Sequence, residues 1–308
     1  MAVRETSEAV LTGFPAHPSA PVTMAYGATR LVYRDRPLVM GILNVTPDSF
    51  SDGGAYADPD RAVQRGEQIA LEGADVIDIG GESTRPGSFG IPIEEELKRV
   101  IPVVKRLAAA VPVPLSVDTS KADVARQALE HGASLINDVT ALRGDPAMAE
   151  VVAQHRAGLI LMHMAGTPAT MQQRPFYRDV VGEVAEFLLN AVQRAERAGI
   201  DRSHLLIDPG LGFGKTVDQN LELMQSLPRL TALGLPIVVG PSRKSFIGQT
   251  LHAEVQNRLA GTLACVAYAQ RSGAHIIRVH DVNATVQLLQ MLAAIERAPE
   301  QPRRRWSR

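Results

Sequence analysis

Glu72-Gly73-Ala74-Asp75-Val76-Ile77-Asp78 returns with little change as His131-Gly132-Ala133-Ser134-Leu135-Ile136-Asn137, and again as Ser272-Gly273-Ala274-His275-Ile276-Ile277-Arg278. In each copy a helical pattern stops at a glycine, which readily takes the left-handed conformation after a helix. A short apolar run follows and ends on a polar side chain. Such a run, bounded by turn residues, reads as a buried parallel strand. Ala157-Gly158-Leu159 and Ala198-Gly199-Ile200 are looser versions of the same unit.

Working outward, eight apolar runs end on, or just before, a polar group suited to chemistry. Besides the three repeat ends they are Val39 to Asn44, Leu115 to Asp118, Leu159 to His163, Leu205 to Asp208, and Ile237 to Gly240 followed by Ser242 and Lys244. Helical patterns separate them at about 59–71, 94–110, 121–130, 146–155, 179–198, 218–227, 254–271 and 283–297, with Asp58 placed to cap the first. Parallel strands need crossover connections, and helices supply them. A doubly wound open sheet is the rival arrangement. Eight evenly repeated units favour a closed (β/α)8 TIM barrel, whose reactive groups gather at the C-terminal ends of the strands.

The expected organisation is a flexible N-terminal tail over residues 1–25, one barrel domain over 26–298, and a basic C-terminal tail over 299–308. The first tail lacks periodicity and carries Pro15, Pro18 and Pro21. Residues 30–37 read as a short hairpin covering the base of the barrel. The basic end reads as a solvated tail, with phosphate binding as the alternative.

Composition narrows the class. Of 308 residues, 45% are hydrophobic and 21% charged, with a net charge of −1, so nothing global favours nucleic acid or an anionic membrane. No apolar run approaches the roughly 20 residues of a membrane helix. The N-terminus carries Glu5 and Glu8 and lacks a signal core. Cys265, the single cysteine, cannot form an internal disulfide. A cytoplasmic location is expected.

The strand ends suggest the chemistry. Asn44 opens a long polar loop with Pro47, Gly53 and Gly54; its amide oxygen suits Mg²⁺ where substrate phosphates and water complete the shell, or else it caps a turn. Arg85, on the loop Gly80 to Gly87, either grips phosphate or carboxylate or is a surface residue. Asp118, Asn137 and Asp208 are polar groups at buried positions that need partners. A 2-amino-4-oxopyrimidine edge, as in guanine or pterin, offers paired N–H donors to one carboxylate; capping of the next helix is the alternative for Asp118.

Asp208 to Thr216 resembles a phosphate-binding P-loop but has Pro209 where that motif needs glycine. Its glycines instead let backbone approach a flat ligand, with Phe213 available to stack. Lys244, Arg278 and His280 gather cations at one side of the mouth, where barrels commonly bind phosphate; taken alone, His280 could equally be a core histidine. There is no Gly-x-Ser-x-Gly elbow, credible cysteine nucleophile or His-Glu-x-x-His site. The set fits displacement of a phosphate-type leaving group without a covalent enzyme intermediate.

From Met40 to Gly54 the chain resembles the opening signature of the dihydropteroate synthase family, and Gly80 to Gly87 resembles its second signature. Ser116 to Thr119, Ile136 to Asp138, Asp208 to Lys215, Ser242 to Phe246 and Arg278 to Asp281 resemble further motifs in the same order, so the likeness runs from about Pro37 to Ile295. It departs at Leu211, where an aromatic is common, and at Pro241.

The resemblance implies a (β/α)8 enzyme of folate biosynthesis. It would join 6-hydroxymethyl-7,8-dihydropterin diphosphate to 4-aminobenzoate and release diphosphate, with Mg²⁺ as cofactor and a homodimeric state. It implies that Asp118, Asn137, Asp208 and Lys244 hold the pterin, with Met162, Phe213, Gly240 and Val279 among its contacts. Asn44 would bind Mg²⁺, and Thr84, Arg278 and His280 would face the diphosphate. Phe50, Asp52, Arg85 and Pro86 would build the aminobenzoate site, with Ser245 near its carboxylate. Catalytic roles would fall on Asp52, Arg85, Lys244, Arg278 and His280. A pterin-binding methyltransferase domain would not need the Ser83 to Pro86 or Ser242 to Phe246 motifs, and an inactive binding barrel would have lost a residue such as Asn44 or Lys244.

Overall fold

The structure, a computed structural model, describes residues 22–26, 29–46, 58–85, 87–173 and 175–298. Eight parallel strands run β3 (Leu38–Asn44), β4 (Val76–Gly80), β5 (Leu115–Asp118), β6 (Leu135–Asp138), β7 (Gly158–Met162), β8 (Leu205–Asp208), β9 (Val238–Val239) and β10 (Ile276–Val279). They pair in the order β8-β7-β6-β5-β4-β3-β10-β9. A parallel bridge from Ile207 to Ile237 joins the two outer strands and closes the ring. The expected (β/α)8 barrel is thus the fold.

Strand alternation sorts the side chains. One parity (Val39, Ile77, Val117, Ile136, Leu159, Ile207, Val239, Ile277) packs into the main core shared with the helices. The other parity faces the barrel axis. Its lower layer is apolar, with Met40, Val76, Leu135, Ile160, Leu206, Val238 and Ile276 in one buried cluster. Two residues further along the strands the axis turns polar at Asp78, Asn137, Asp208 and Arg278. A two-residue step keeps the same face, so the change from plug to site is made within single strands.

Three of the helices begin at side-chain caps. Asp58 accepts the Asp60 amide at 2.9 Å and opens Pro59–Leu71. Asp179 takes the Gly182 amide at 2.9 Å and opens Val180–Arg197. Thr216 and Gln219 form a reciprocal capping box at Val217–Gln225. The pattern over 254–271 resolves into a short 3-10 turn, Val255–Asn257, and the helix Leu259–Arg271. Among the described residues no helix is long and apolar enough to cross a membrane.

The N-terminal boundary differs from the expectation. The hairpin is β1 (Val22–Tyr26) paired antiparallel with β2 (Thr29–Tyr33), so a strand lies within the stretch expected to be tail and the second strand starts before residue 30. Met24, Tyr26 and Leu31 point inward and join the apolar layer at the bottom of the barrel. Ala25 and Val32 break the apolar–polar alternation in the two strands, so no clear period-2 pattern marked them. Arg36 instead forks onto Asp75 at 2.7 and 3.1 Å, and Asp75 also accepts the Val39 amide at 2.7 Å.

Candidate active site

The three repeat ends meet at one oxygen. Asp78 is fully buried, and its Oδ2 accepts Arg278 Nε at 2.6 Å and Asn137 Nδ2 at 3.1 Å. Strand pairing makes this possible: Gly80 lies beside Asp118, Asp118 beside Asn137, and Asp78 beside Ser116. Arg278 reaches across from β10 and donates a second bond, from Nη2 to Asp118 Oδ2, at 2.8 Å. Asp78 and Asp118 hold the guanidinium charged and raise its pKa, against the opposing effect of burial.

Two oxygens here lack hydrogen-bond partners among the described residues, Asp118 Oδ1 and Asp78 Oδ1. Burial pushes the Asp118 carboxyl up to about 7; Arg278 opposes that shift and Asp78 adds to it. Asp208 is also raised by burial, while the Gly210 amide and Lys244 oppose the rise. Asp208 Oδ1 accepts the Gly210 amide at 2.7 Å, within its own turn. Asp208 therefore keeps one oxygen for a ligand edge, whereas Asp118 has one oxygen on Arg278 and the other buried.

The cavity over these groups is lined by Asp118, Asn137, Met162, Asp208, Phe213, Gly240, Lys244 and Arg278, together with Val139, Gly210 and Leu211. Val139, Met162, Met164, Met171 and Phe213 form an apolar cluster beside the polar edge. Such a wall suits one face of a flat ring, with polar groups meeting its rim. The Lys244 ammonium lies 4.0 Å from the centre of the Phe213 ring. Burial lowers Lys244 to about 8; Arg278 adds to the fall and Asp208 resists it.

Other expected residues stand elsewhere. Thr84 is half-buried and Arg85 exposed on the loop after β4, outside this cavity. Ser245 begins the helix Ser245–Leu251 and lines a neighbouring cleft with Phe246, Gln249 and Lys215. The Val279 side chain is buried in the core shared with the helices, on the opposite face from Arg278, so the structure does not bring it to the mouth. Phe50, Asp52 and Pro86 lie outside the described residues.

His280 does not join the cations as expected. Burial, then Arg278 and Arg243, push its imidazole down to about 3, so it is neutral at physiological pH. Its Nδ1 lies 2.9 Å from Ser242 Oγ, and that oxygen accepts the His280 amide at 3.1 Å.

Several working residues escaped the sequence reading. Asp78 had no role there, although it ends the first repeat. Lys215 is buried and donates to Gly210 O at 2.8 Å, Phe213 O at 3.0 Å and His163 Nδ1 at 2.9 Å. It ties down the loop that shapes the cavity, and it gives the otherwise unassigned His163 a place. The same loop requires glycine at 210: its φ is +67°, and a Cβ there would sit 1.9 Å from the His163 carbonyl oxygen. Arg243 adopts φ +56° between Ser242 and Lys244, held by a fork onto Asp281 at 3.0 and 2.6 Å. A run of Ser-Arg-Lys carries no local signal for that conformation.

A family described as pterin binding enzyme matches residues 40–280. The chain is 48% identical over 267 residues to the dihydropteroate synthase of Escherichia coli strain K12, covering 87% of this chain and 94% of that one. The dihydropteroate synthase of Xanthomonas albilineans with 4-aminobenzoic acid superposes with a TM-score of 0.85 at 49% identity, covering 91% of this chain and 100% of that one. The enzyme from that organism in complex with 7,8-dihydropteroate gives a TM-score of 0.82 at 47% identity, over 90% and 100% of the two chains. With this likeness running through the strand ends and loops that build the cavity, the chain belongs to the dihydropteroate synthases of the pterin-binding enzyme family.

Proposed function

We propose that this barrel mouth condenses 6-hydroxymethyl-7,8-dihydropterin diphosphate with 4-aminobenzoate to give 7,8-dihydropteroate and diphosphate. The observation that carries the reading is the cavity itself. The Asp118 and Asp208 carboxylates line it beside an apolar wall, with Lys244 and Arg278 next to them, and Asp208 keeps one oxygen that no protein donor takes. The 2-amino-4-oxo edge of a pterin supplies the N–H donors, and Asn137 and Met162 border its ring.

The C–O bond from the pterin methylene to diphosphate breaks, and its electron pair leaves with the diphosphate. The cation left behind is delocalised into the pterin ring. The neutral aniline nitrogen of 4-aminobenzoate forms the new C–N bond and then loses one proton to the diphosphate or to water. Arg278 and Lys244 stabilise the departing charge. His280 contributes as a neutral donor: if Ser242 Oγ–H donates to Nδ1, Nε2–H is free to meet an anionic oxygen. Thr84, Arg85 and Ser245, with Phe50, Asp52 and Pro86, are assigned to the diphosphate and aminobenzoate side.

Asn44 fits a Mg²⁺ site of the kind that takes most of its ligands from substrate and water. It offers one amide oxygen at the mouth end of β3, opposite Gly80, whose missing Cβ leaves room between Asn44 Oδ1 and Asp118 Oδ2. Among the described residues no group of three acidic, histidine or cysteine side chains could hold a metal unaided. A Mg²⁺ ion held there by Asn44 together with the substrate would supply charge neutralisation for the departing diphosphate. A cytoplasmic homodimer is the assembly we assign; the exposure of Leu251, Val255 and Leu259 near Ser245 supports a covered face.

The deciding assay incubates the protein with the pterin diphosphate, 4-aminobenzoate and Mg²⁺ and follows dihydropteroate and diphosphate together. Equimolar release of both supports the reading, and pterin binding with no condensation product refutes it.

A further inference from the structure

The loop after β4 runs from Gly81 to Ile91 and carries Thr84 and Arg85. One side chain fastens both of its ends. Glu82 Oε2 accepts the Ile91 amide at 3.0 Å, and the same oxygen meets the Lys121 ammonium. Lys121 also meets Glu96, a buried residue in the first turn of the helix Ile93–Ala110. Gly81 lies against that turn, where a Cβ would come within 2.6 Å of Val100 and 3.1 Å of Glu96. Arg99 donates to the Gly81 carbonyl at 2.8 Å. Farther out, Ser88 Oγ donates to the carbonyls of Ser83 and Arg85 at 2.6 and 2.7 Å.

Glu82, Lys121, Glu96 and Arg99 all lie outside the cavity lining. Burying two carboxylates and one ammonium together contributes little net stability, because desolvation opposes the attraction. What the cluster supplies is one geometry. Lys121 stands three residues after Asp118, on the segment that leaves β5 for the next helix. That segment has the pterin-side carboxylate at one end and the anchor of the β4 loop at the other.

We propose that Glu82 is a positioning residue for the second substrate. Through Lys121 it ties the base of the loop that carries Thr84 and Arg85 to the segment that begins at Asp118, so less of that loop has to be ordered when 4-aminobenzoate binds. The proposal rests on the two-substrate reading given above.

Glu82→Gln tests it, because the amide keeps the volume and an acceptor for Ile91 but loses the charge facing Lys121. The expected result is a KM for 4-aminobenzoate raised about tenfold, the effect of one charge-assisted contact. The KM for pterin diphosphate stays within about twofold, and hydrogen exchange of amides 83–90 becomes faster. Lys121→Arg, which keeps the cation, stays close to wild type. Equal rises in both KM values, or unchanged KM values with unchanged exchange, overturn the proposal. Failure of the wild-type protein to make dihydropteroate overturns the functional reading instead, and the exchange comparison still reads the loop. Should Glu82→Gln not fold, Glu82→Asp carries the same measurements, since withdrawing one methylene breaks the reach to Lys121.

Discussion

Replacing Asp208 by asparagine separates binding from folding at the pterin edge. Asp208 is buried, with one oxygen committed to the Gly210 amide at 2.7 Å and the other facing the cavity. Asparagine keeps the shape and keeps an oxygen for Gly210. It places an NH2 donor where the ligand edge also presents N–H donors. Each charge-assisted bond to the ligand is worth about 1.5–3 kcal/mol. With one oxygen of Asp208 available, one such bond is lost, which is roughly ten- to a hundredfold in affinity.

Stability follows a different course. The Asp208 carboxyl is raised by burial, so the folded chain binds that proton more tightly than the unfolded chain. Its ionisation therefore costs stability once pH exceeds the unfolded carboxylate value, near 3.9. Asparagine removes that cost at neutral pH. Opposing this, Lys244 and Lys215 lose the anion that helps keep them charged. The thermal midpoint should change little while affinity collapses. Calorimetric titration with the pterin diphosphate, alongside thermal unfolding at pH 7, reads both quantities. An affinity within about threefold of wild type refutes the assignment of this oxygen to the pterin edge. A parallel fall in affinity and midpoint shows a folding defect and refutes the separation.

Lys244 titrates near 8 in the fold, below its ordinary 10.5. The free enzyme should lose this cation, and with it kcat/KM for the pterin diphosphate, as pH rises through about 8. The unfolded chain keeps its proton to higher pH, so the lysine's cost to stability is present below about 8 and fades above it. A pH–rate profile of Lys244→Arg should lack the limb, and persistence of the same limb assigns it to another group. Lys215→Met strands the acceptors on Gly210, Phe213 and His163, at about 1–3 kcal/mol for each buried group left unsatisfied. Urea unfolding at pH 7 should show a loss of about 3 kcal/mol or more, and a loss under about 1 kcal/mol rules out the tripod as the loop's anchor.

The polar strand ends were legible because they obey local rules: apolar runs of strand length, glycine after helices, and a reactive group at the end. Asp118, Asn137, Asp208, Lys244 and Arg278 were found that way and line one cavity. Val279 was assigned by its place in a motif, but alternation turns its side chain to the opposite face. His280 was counted as a cation by residue type, whereas burial beside Arg278 and Arg243 leaves it neutral. Lys215 resembled part of a phosphate loop, yet its three bonds go to its own loop and to His163. In each case the missing information was a neighbour distant in sequence.

The recurring Gly-Ala-x-apolar-apolar-polar unit determined the parallel strands, the helices between them and the end at which chemistry collects. Hydrophobic period and turn chemistry act over a few residues and can be read in one dimension. Which ends touch was decided by closure of the ring. Closure brings Arg278 over Asp78, 200 positions apart in the chain, with Asn137 on the same oxygen. The last residues of the three repeat copies become one hydrogen-bonded group there, and Arg278 ties that group to Asp118 in the cavity lining. Burial, pKa and free valence belong to that assembled group, so they exist only once the barrel has closed.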